Sequence, residues 1–168
     1  GLLDPQGKYH VFRCDRSSKR GSGVCALVSR EMSALQNISD TYPELELLCL
    51  DLVKKGTKCR IIVVYRSTED TQQSVPYTTR LMQCFESLVL VSQPCYIVGD
   101  LNASQIDWSN VFAVQNSGDG LLLEFVVDNG FVQIVPAPTR NENLLDVVLV
   151  NEPNTVFNVS VDPPFGSS

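Results

Sequence analysis

The sequence predicts a layered α/β protein with mixed or largely antiparallel sheets. Many short apolar, β-branched runs alternate with turn residues. Only two stretches carry helical periodicity. Some strand pairs are joined by tight turns and others by a helix-length crossover.

Tyr9–Arg13 reads as a short strand of aromatic and β-branched residues. Asp15–Gly23 is a basic, polar loop, and Gly23–Ser29 is a second strand, so the two form a hairpin with a generous connection. Glu31–Pro43 has no clear period and reads as irregular. Glu46–Leu52 is a third strand, and Lys54-Lys55-Gly56-Thr57 a turn in which Gly56 suits a positive φ. Cys59–Tyr65 is the strongest β run and pairs antiparallel with its predecessor. Its continuous apolar centre, Ile61–Val64, implies cover on both faces. A helix follows from about Pro76, capped by Ser74, with Leu81, Met82, Phe85, Leu88 and Val89 inward. Cys95–Val98 is a buried strand. Ala103–Gly118 is a polar loop holding the single tryptophan, Trp108. Asp119–Asp128 is the second helix, with Leu122, Leu123, Phe125 and Val126 inward and Asn129-Gly130 as its stop. Phe131–Val135, Leu145–Val150 and Val156–Val161 read as the last strands.

Composition narrows the class. The chain has 168 residues with 43% hydrophobic and 19% charged, ordinary for one globular domain with a core of its own. No apolar run approaches the ~20 residues of a membrane span. No basic start followed by an apolar block marks a signal peptide. Six cysteines, none in a Cys-x-x-Cys pair, read as reduced, buried small hydrophobes. With His10 as the single histidine they form no zinc pattern. A reducing compartment, cytoplasm or nucleus, follows as an expectation. The net charge of −6 argues against general nucleic-acid binding. Residues 1–30, however, hold six basic side chains (Lys8, Arg13, Arg16, Lys19, Arg20, Arg30) against two acidic ones. That is the footprint of an anion-binding surface or of an ordinary solvated loop.

Four places join a polar group to a strand end: Tyr65-Arg66, Asp100 with Asn102, Thr139-Arg140, and Asp146. In Cys95–Asn102 an apolar strand runs into Gly99 and then Asp100 and Asn102, one step apart. On an extended backbone the two share a face. A carboxylate beside an amide suits phosphate-ester hydrolysis, the carboxylate orienting or deprotonating water and the amide donating to phosphate. Tyrosine and arginine stabilise charge on phosphate oxygens. The same spacing also fits an Asx-type turn after a strand. An acid inside the apolar run 145–150 needs a partner if it is buried.

In order along the chain, several motifs resemble one family. They are Tyr9-His10-Val11-Phe12-Arg13-Cys14-Asp15-Arg16 with Gly21–Val24, Val64-Tyr65-Arg66-Ser67, Gly99-Asp100-Leu101-Asn102, Asp107-Trp108, Pro138-Thr139-Arg140, and Leu144–Leu149. The set resembles the apurinic-type endonuclease domain of non-LTR retrotransposons, Jockey-like or chicken-repeat-like, within the endonuclease/exonuclease/phosphatase superfamily. The resemblance implies a four-layer α/β sandwich with two mixed, largely antiparallel sheets, here incomplete. It also implies a Mg²⁺-dependent phosphodiesterase that nicks DNA, coupled to a reverse-transcriptase domain in a longer polyprotein.

By the resemblance, Asp100 positions and activates the attacking water, and Asn102 supports it and contacts phosphate. Tyr65 bonds the scissile phosphate or helps the leaving group. Asp146 orients a catalytic histidine, and Arg66 and Arg140 contact phosphate or DNA. The family pattern opens with an Asn and a metal-binding Glu and closes with Ser-Asp-His, and neither motif occurs in this chain. The expectation is therefore a single partial domain over 1–168, with its principal metal ligand elsewhere and little or no nicking by itself. Two other readings remain: a non-catalytic remnant or interaction domain on the same scaffold, and a superfamily phosphatase with a non-DNA substrate.

Overall fold

The computed structural model describes residues 4, 6–15, 23–37, 42–69 and 73–163. The order is β1 (Tyr9–Asp15), β2 (Gly23–Ser29), β3 (Ser33–Asn37), β4 (Glu46–Lys54), β5 (Thr57–Tyr65), α1 (Val75–Val89), β6 (Cys95–Asp100), α2 (Gly118–Asp128), β7 (Val132–Gln133) and β8 (Asp146–Val150). A short 3₁₀ turn follows at Pro153–Thr155. The chain is an α/β sandwich. A two-stranded antiparallel sheet, β1-β2, stacks on a six-stranded sheet ordered β3-β4-β5-β6-β8-β7. Only β5 and β6 run parallel, so the large sheet is mixed and largely antiparallel.

One face of the large sheet carries both helices. Cys49, Ile62, Val64, Ile97, Val147 and Leu149 meet Leu81, Phe85, Leu122 and Phe125 there. Phe85 and Phe125 lie 5.4 Å apart between ring centres, and Phe125 and Phe131 5.9 Å. The other face receives the hairpin, with Phe12, Ala26 and Val28 against Leu50, Leu52 and Ile61. Alternation along β4 and β5 sends one set of side chains to each layer. The cover expected on both faces of β5 is thus supplied by helices on one side and by the hairpin, less completely, on the other.

Local signals explain most boundaries. The Ser74 hydroxyl accepts from Tyr77 N–H at 3.4 Å and starts α1, and Ser117 accepts from Gly120 N–H at 2.9 Å and starts α2. The β4-β5 turn holds Lys55 and Gly56 at φ 50° and 85°, the geometry of a two-residue hairpin loop. At the end of the sheet away from the β5 and β6 C-termini, Arg60 forks onto Asp51 at 2.7 Å and donates to Leu88 O at 2.7 Å, tying the end of α1 to the sheet.

Four expectations are corrected. Ser33–Asn37, read as irregular, is an edge strand on β4. Its alternation is short and weak, and pairing rather than pattern fixes it. Val156–Val161 alternates in sequence but joins no ladder, and Phe157 is 97% exposed. The strand expected over 131–135 contracts to Val132–Gln133, because Phe131 turns into the aromatic core. Cys49, Cys84 and Cys95 are buried thiols, raised by desolvation to about 11, 11 and 12, whereas Cys25 is exposed on the hairpin's outer face. The basic loop residues Arg16, Lys19 and Arg20, the Gly21–Val24 motif up to Ser22, and the chain end from Pro164 lie outside the described residues.

Among the described glycines, Gly99 has the least room for a side chain. Its φ is 149°, and a Cβ there would lie 1.8 Å from Val64 O on the neighbouring parallel strand. Gly99→Ala is expected to break the β5-β6 ladder and cost more than about 3 kcal/mol, read as a fall in the urea midpoint. A midpoint like that of the parent contradicts this.

Candidate active site

The topology brings the candidates together. β5 and β6 are parallel, so their C-terminal ends lie side by side. β8 is antiparallel to β6, so it begins where β6 ends. The registers pair Tyr65 with Asp100 and Asp100 with Asp146. Three of the expected residues thus form one row across three adjacent strands, on the face opposite the helices. Glu46 pairs with Tyr65 and extends the row onto β4, where it is buried. Sequence reasoning passed over Glu46. Its place beside Tyr65 follows from the β4-β5 hairpin register, which could have been counted outward from the Lys55-Gly56 turn.

Asp100 is half-buried. Burial first, and then the Asp146 carboxylate, push its pKa above the ordinary value. The Asn102 N–H and Arg140 pull it back in part. Asp146 is exposed, not buried as its apolar run suggested, because it stands at the first position of β8. Its backbone N–H and that of Leu145 both donate to the Thr139 hydroxyl, at 3.0 and 3.1 Å, which fixes the strand's entry. Arg140 is exposed in the turn closed by its bridge to Asn143, near enough to act on Asp100.

Asn102 does not share Asp100's face. β6 ends at Asp100 and Asn102 adopts φ 46°, so the alternation of the strand stops. Its N–H donates to Asp100 Oδ1 at 3.0 Å, which is the Asx-type turn, and its side-chain amide donates to Arg66 O at 2.8 Å. Asn102 is buried and joins the β5 and β6 ends.

Arg66 is the main correction. The side chain expected on phosphate is 0% exposed, on the helix side of the sheet. Its Nε donates to Leu101 O at 2.7 Å, Nη1 to Thr78 Oγ1 at 3.3 Å, and Nη2 to Asp119 Oδ1. Strand alternation after Tyr65 sends it inward, and Asp119 in the first turn of α2 supplies the countercharge. Asp107 is also structural. It accepts from Ser109 and Asn110 N–H, both at 3.0 Å, and those bonds lower its pKa. Trp108 packs on the core and lines a cleft of about 430 Å³ with Ala103, Ser104, Pro138, Asn143 and Leu144, and no residue of the row lines it.

The arrangement offers hard oxygen donors. Asp100 and Asp146 oppose each other across the ladder with a repulsion that Arg140 offsets only in part, which suits a divalent cation such as Mg²⁺ between them. Among the described residues no group of three His, Cys, Asp or Glu gathers to hold a metal. An ion here would complete its shell with water and a phosphate group, as Mg²⁺ commonly does.

Set beside solved structures, this is a nuclease-like fold. The fold is shared with solved structures that include a non-LTR retrotransposon endonuclease domain and an AP endonuclease. The endonuclease domain of TRAS1, a telomere-specific non-LTR retrotransposon, matches over 84% of this chain and 64% of its own, with a TM-score of 0.58 and 12% identity. A humanised D. rerio TDP2 matches over 89% and 63%, with a TM-score of 0.57 and 13% identity. An AP endonuclease from Archaeoglobus fulgidus matches over 87% and 68%, with a TM-score of 0.55 and 16% identity. This chain spans less than two thirds of the TRAS1 and TDP2 chains. No protein-family model matches it, and no curated protein does.

The raised pKa of Asp100 makes a stability prediction. A carboxyl whose folded pKa is raised contributes stability that is complete below its unfolded value, about 3.9, and lost as pH rises through the folded value. Asp100→Asn should therefore raise the thermal midpoint at neutral pH, with the gain shrinking as pH falls to about 3.9. A gain that is constant with pH, or a loss at neutral pH, contradicts it.

Proposed function

We propose that the Tyr65–Asp100–Asp146 row is part of a phosphodiester-hydrolysing site acting on DNA, in a protein that nicks target DNA ahead of reverse transcription. The observation that carries this reading is the register, which sets two carboxylates and a tyrosine on one rung at the strand ends. Ligands of α/β sheets collect at such ends.

In this reading Asp100 and Asp146 would hold a divalent cation, which would supply Lewis-acid polarisation of the phosphate. Asp100, its pKa raised toward the working range, accepts the water's proton. The water oxygen bonds to phosphorus as the P–O3′ bond breaks, and the departing O3′ takes a proton from solvent, leaving a 5′-phosphate and a 3′-hydroxyl that can prime synthesis. Tyr65 donates to the phosphate, and Arg140, exposed beside Asp100, binds a flanking phosphate. Turnover by this polypeptide alone is proposed to be low. The row holds no imidazole, and His10, the single histidine, stands on β1 in the other sheet.

Supercoiled plasmid with Mg²⁺ tests both parts. Slow nicking that drops at least about a hundredfold in Asp100→Asn is the expected result. Arg140→Ala should weaken DNA affinity a few-fold and flatten its salt dependence. Nicking indifferent to Asp100→Asn overturns the site. Fast, Asp100-dependent nicking keeps the site and overturns the low turnover. No Asp100-dependent nicking, together with no Arg140-dependent affinity, favours the non-catalytic scaffold.

A further inference from the structure

We infer that Arg66, held by Asp119, is a positioning residue for the Asp100–Asn102 segment. The inference rests on the phosphodiesterase reading for its effect on turnover, and on geometry alone for its effect on the segment.

Arg66 bonds to each of the three residues in turn. Its backbone N–H donates to Asp100 O at 2.9 Å. Its Nε donates to Leu101 O at 2.7 Å. Its own carbonyl accepts from the Asn102 side-chain amide at 2.8 Å. Two of these use the backbone. The Leu101 bond needs the guanidinium, and it holds the residue between the acid and the amide.

The guanidinium has little freedom of its own. Thr78 in α1 and Asp119 in α2 take its two other nitrogens. Asp119 Oδ2 in turn accepts from Gln105 N–H at 3.0 Å, pinning the chain three residues past Asn102. Gly118 lets α2 come this close, since a Cβ there would meet Gln73 O at 2.6 Å and Thr78 Oγ1 at 2.8 Å. The two helix N-termini, both electropositive, face a buried cation, and Asp119 relieves that conflict. A lysine has one ammonium and cannot reach the three directions the planar fork serves.

A buried ion pair often adds little stability over apolar residues of similar size. Replacing both partners therefore separates position from stability. In Arg66→Met/Asp119→Leu, the thermal midpoint should stay near that of the parent. Hydrogen exchange at the Asn102 backbone amide should rise about tenfold or more relative to Ile97 in the core. On plasmid DNA, kcat should fall about ten- to a hundredfold with KM little changed. Exchange at Asn102 that rises no more than at Ile97 overturns the inference, as does an unchanged kcat in an active parent. If the double variant does not fold, Arg66→Lys carries the same exchange comparison with the same two outcomes. If the parent shows no turnover, the phosphodiesterase reading fails on that ground, and exchange at Asn102 still decides whether Arg66 positions the segment.

Discussion

A guanidinium with no exposure, bonded to one backbone carbonyl, one hydroxyl and one carboxylate, fixes the end of this sheet where Tyr65, Asp100 and Asp146 line up. Removing one member of such a set leaves a buried charge without its partner, at a cost of about 3–5 kcal/mol. Arg66 sits where β5, the segment after β6, and the first turns of both helices meet. The packing of the helices and the geometry of the Asp100 turn are consequently a single problem. A shift of α2 is transmitted to Leu101 through Asp119 and Arg66, over two hydrogen bonds.

The row of polar groups follows from strand direction. A parallel β5-β6 pair places Tyr65 and Asp100 at matching ends, and an antiparallel β8 returns Asp146 to the same rung. Gly99 makes this register possible, because Val64 O occupies the space where its Cβ would stand. Burial then keeps Asp100 partly dry, and the facing Asp146 adds repulsion. Both effects favour a proton or a cation at this point.

Much of this was legible in the sequence. Ser74 before Pro76, the apolar spacing of Leu81, Phe85 and Leu88, and the Lys55-Gly56 turn act locally, and each gave its element within a residue or two. Asp100, Tyr65 and Asp146 each end or begin an apolar run, and the structure brings those three together. What the sequence could not supply was direction. Arg66 follows Tyr65 by one residue, and a strand sends neighbours to opposite faces, so an arginine beside a candidate tyrosine points away from it. Its countercharge, Asp119, lies 53 residues on and is visible only after the helices pack. Strand alternation alone predicts a shared face for Asp100 and Asn102; the left-handed backbone of Asn102 interrupts it and gives the Asx-type turn that the same spacing also fits. β3 and the segment 156–161 show the reverse limit: whether an alternating stretch becomes a strand depends on a partner edge elsewhere in the chain.

The central claim is that the Arg66 guanidinium is sealed and bound in the native state. The most direct measurement is the ¹⁵N-resolved exchange of its Nε–H in the unmodified chain. The account predicts exchange as slow as that of the Ile97 backbone amide, with a through-hydrogen-bond coupling to the Leu101 carbonyl carbon. A fast-exchanging Arg66 Nε–H, indistinguishable from that of exposed Arg140, would contradict it.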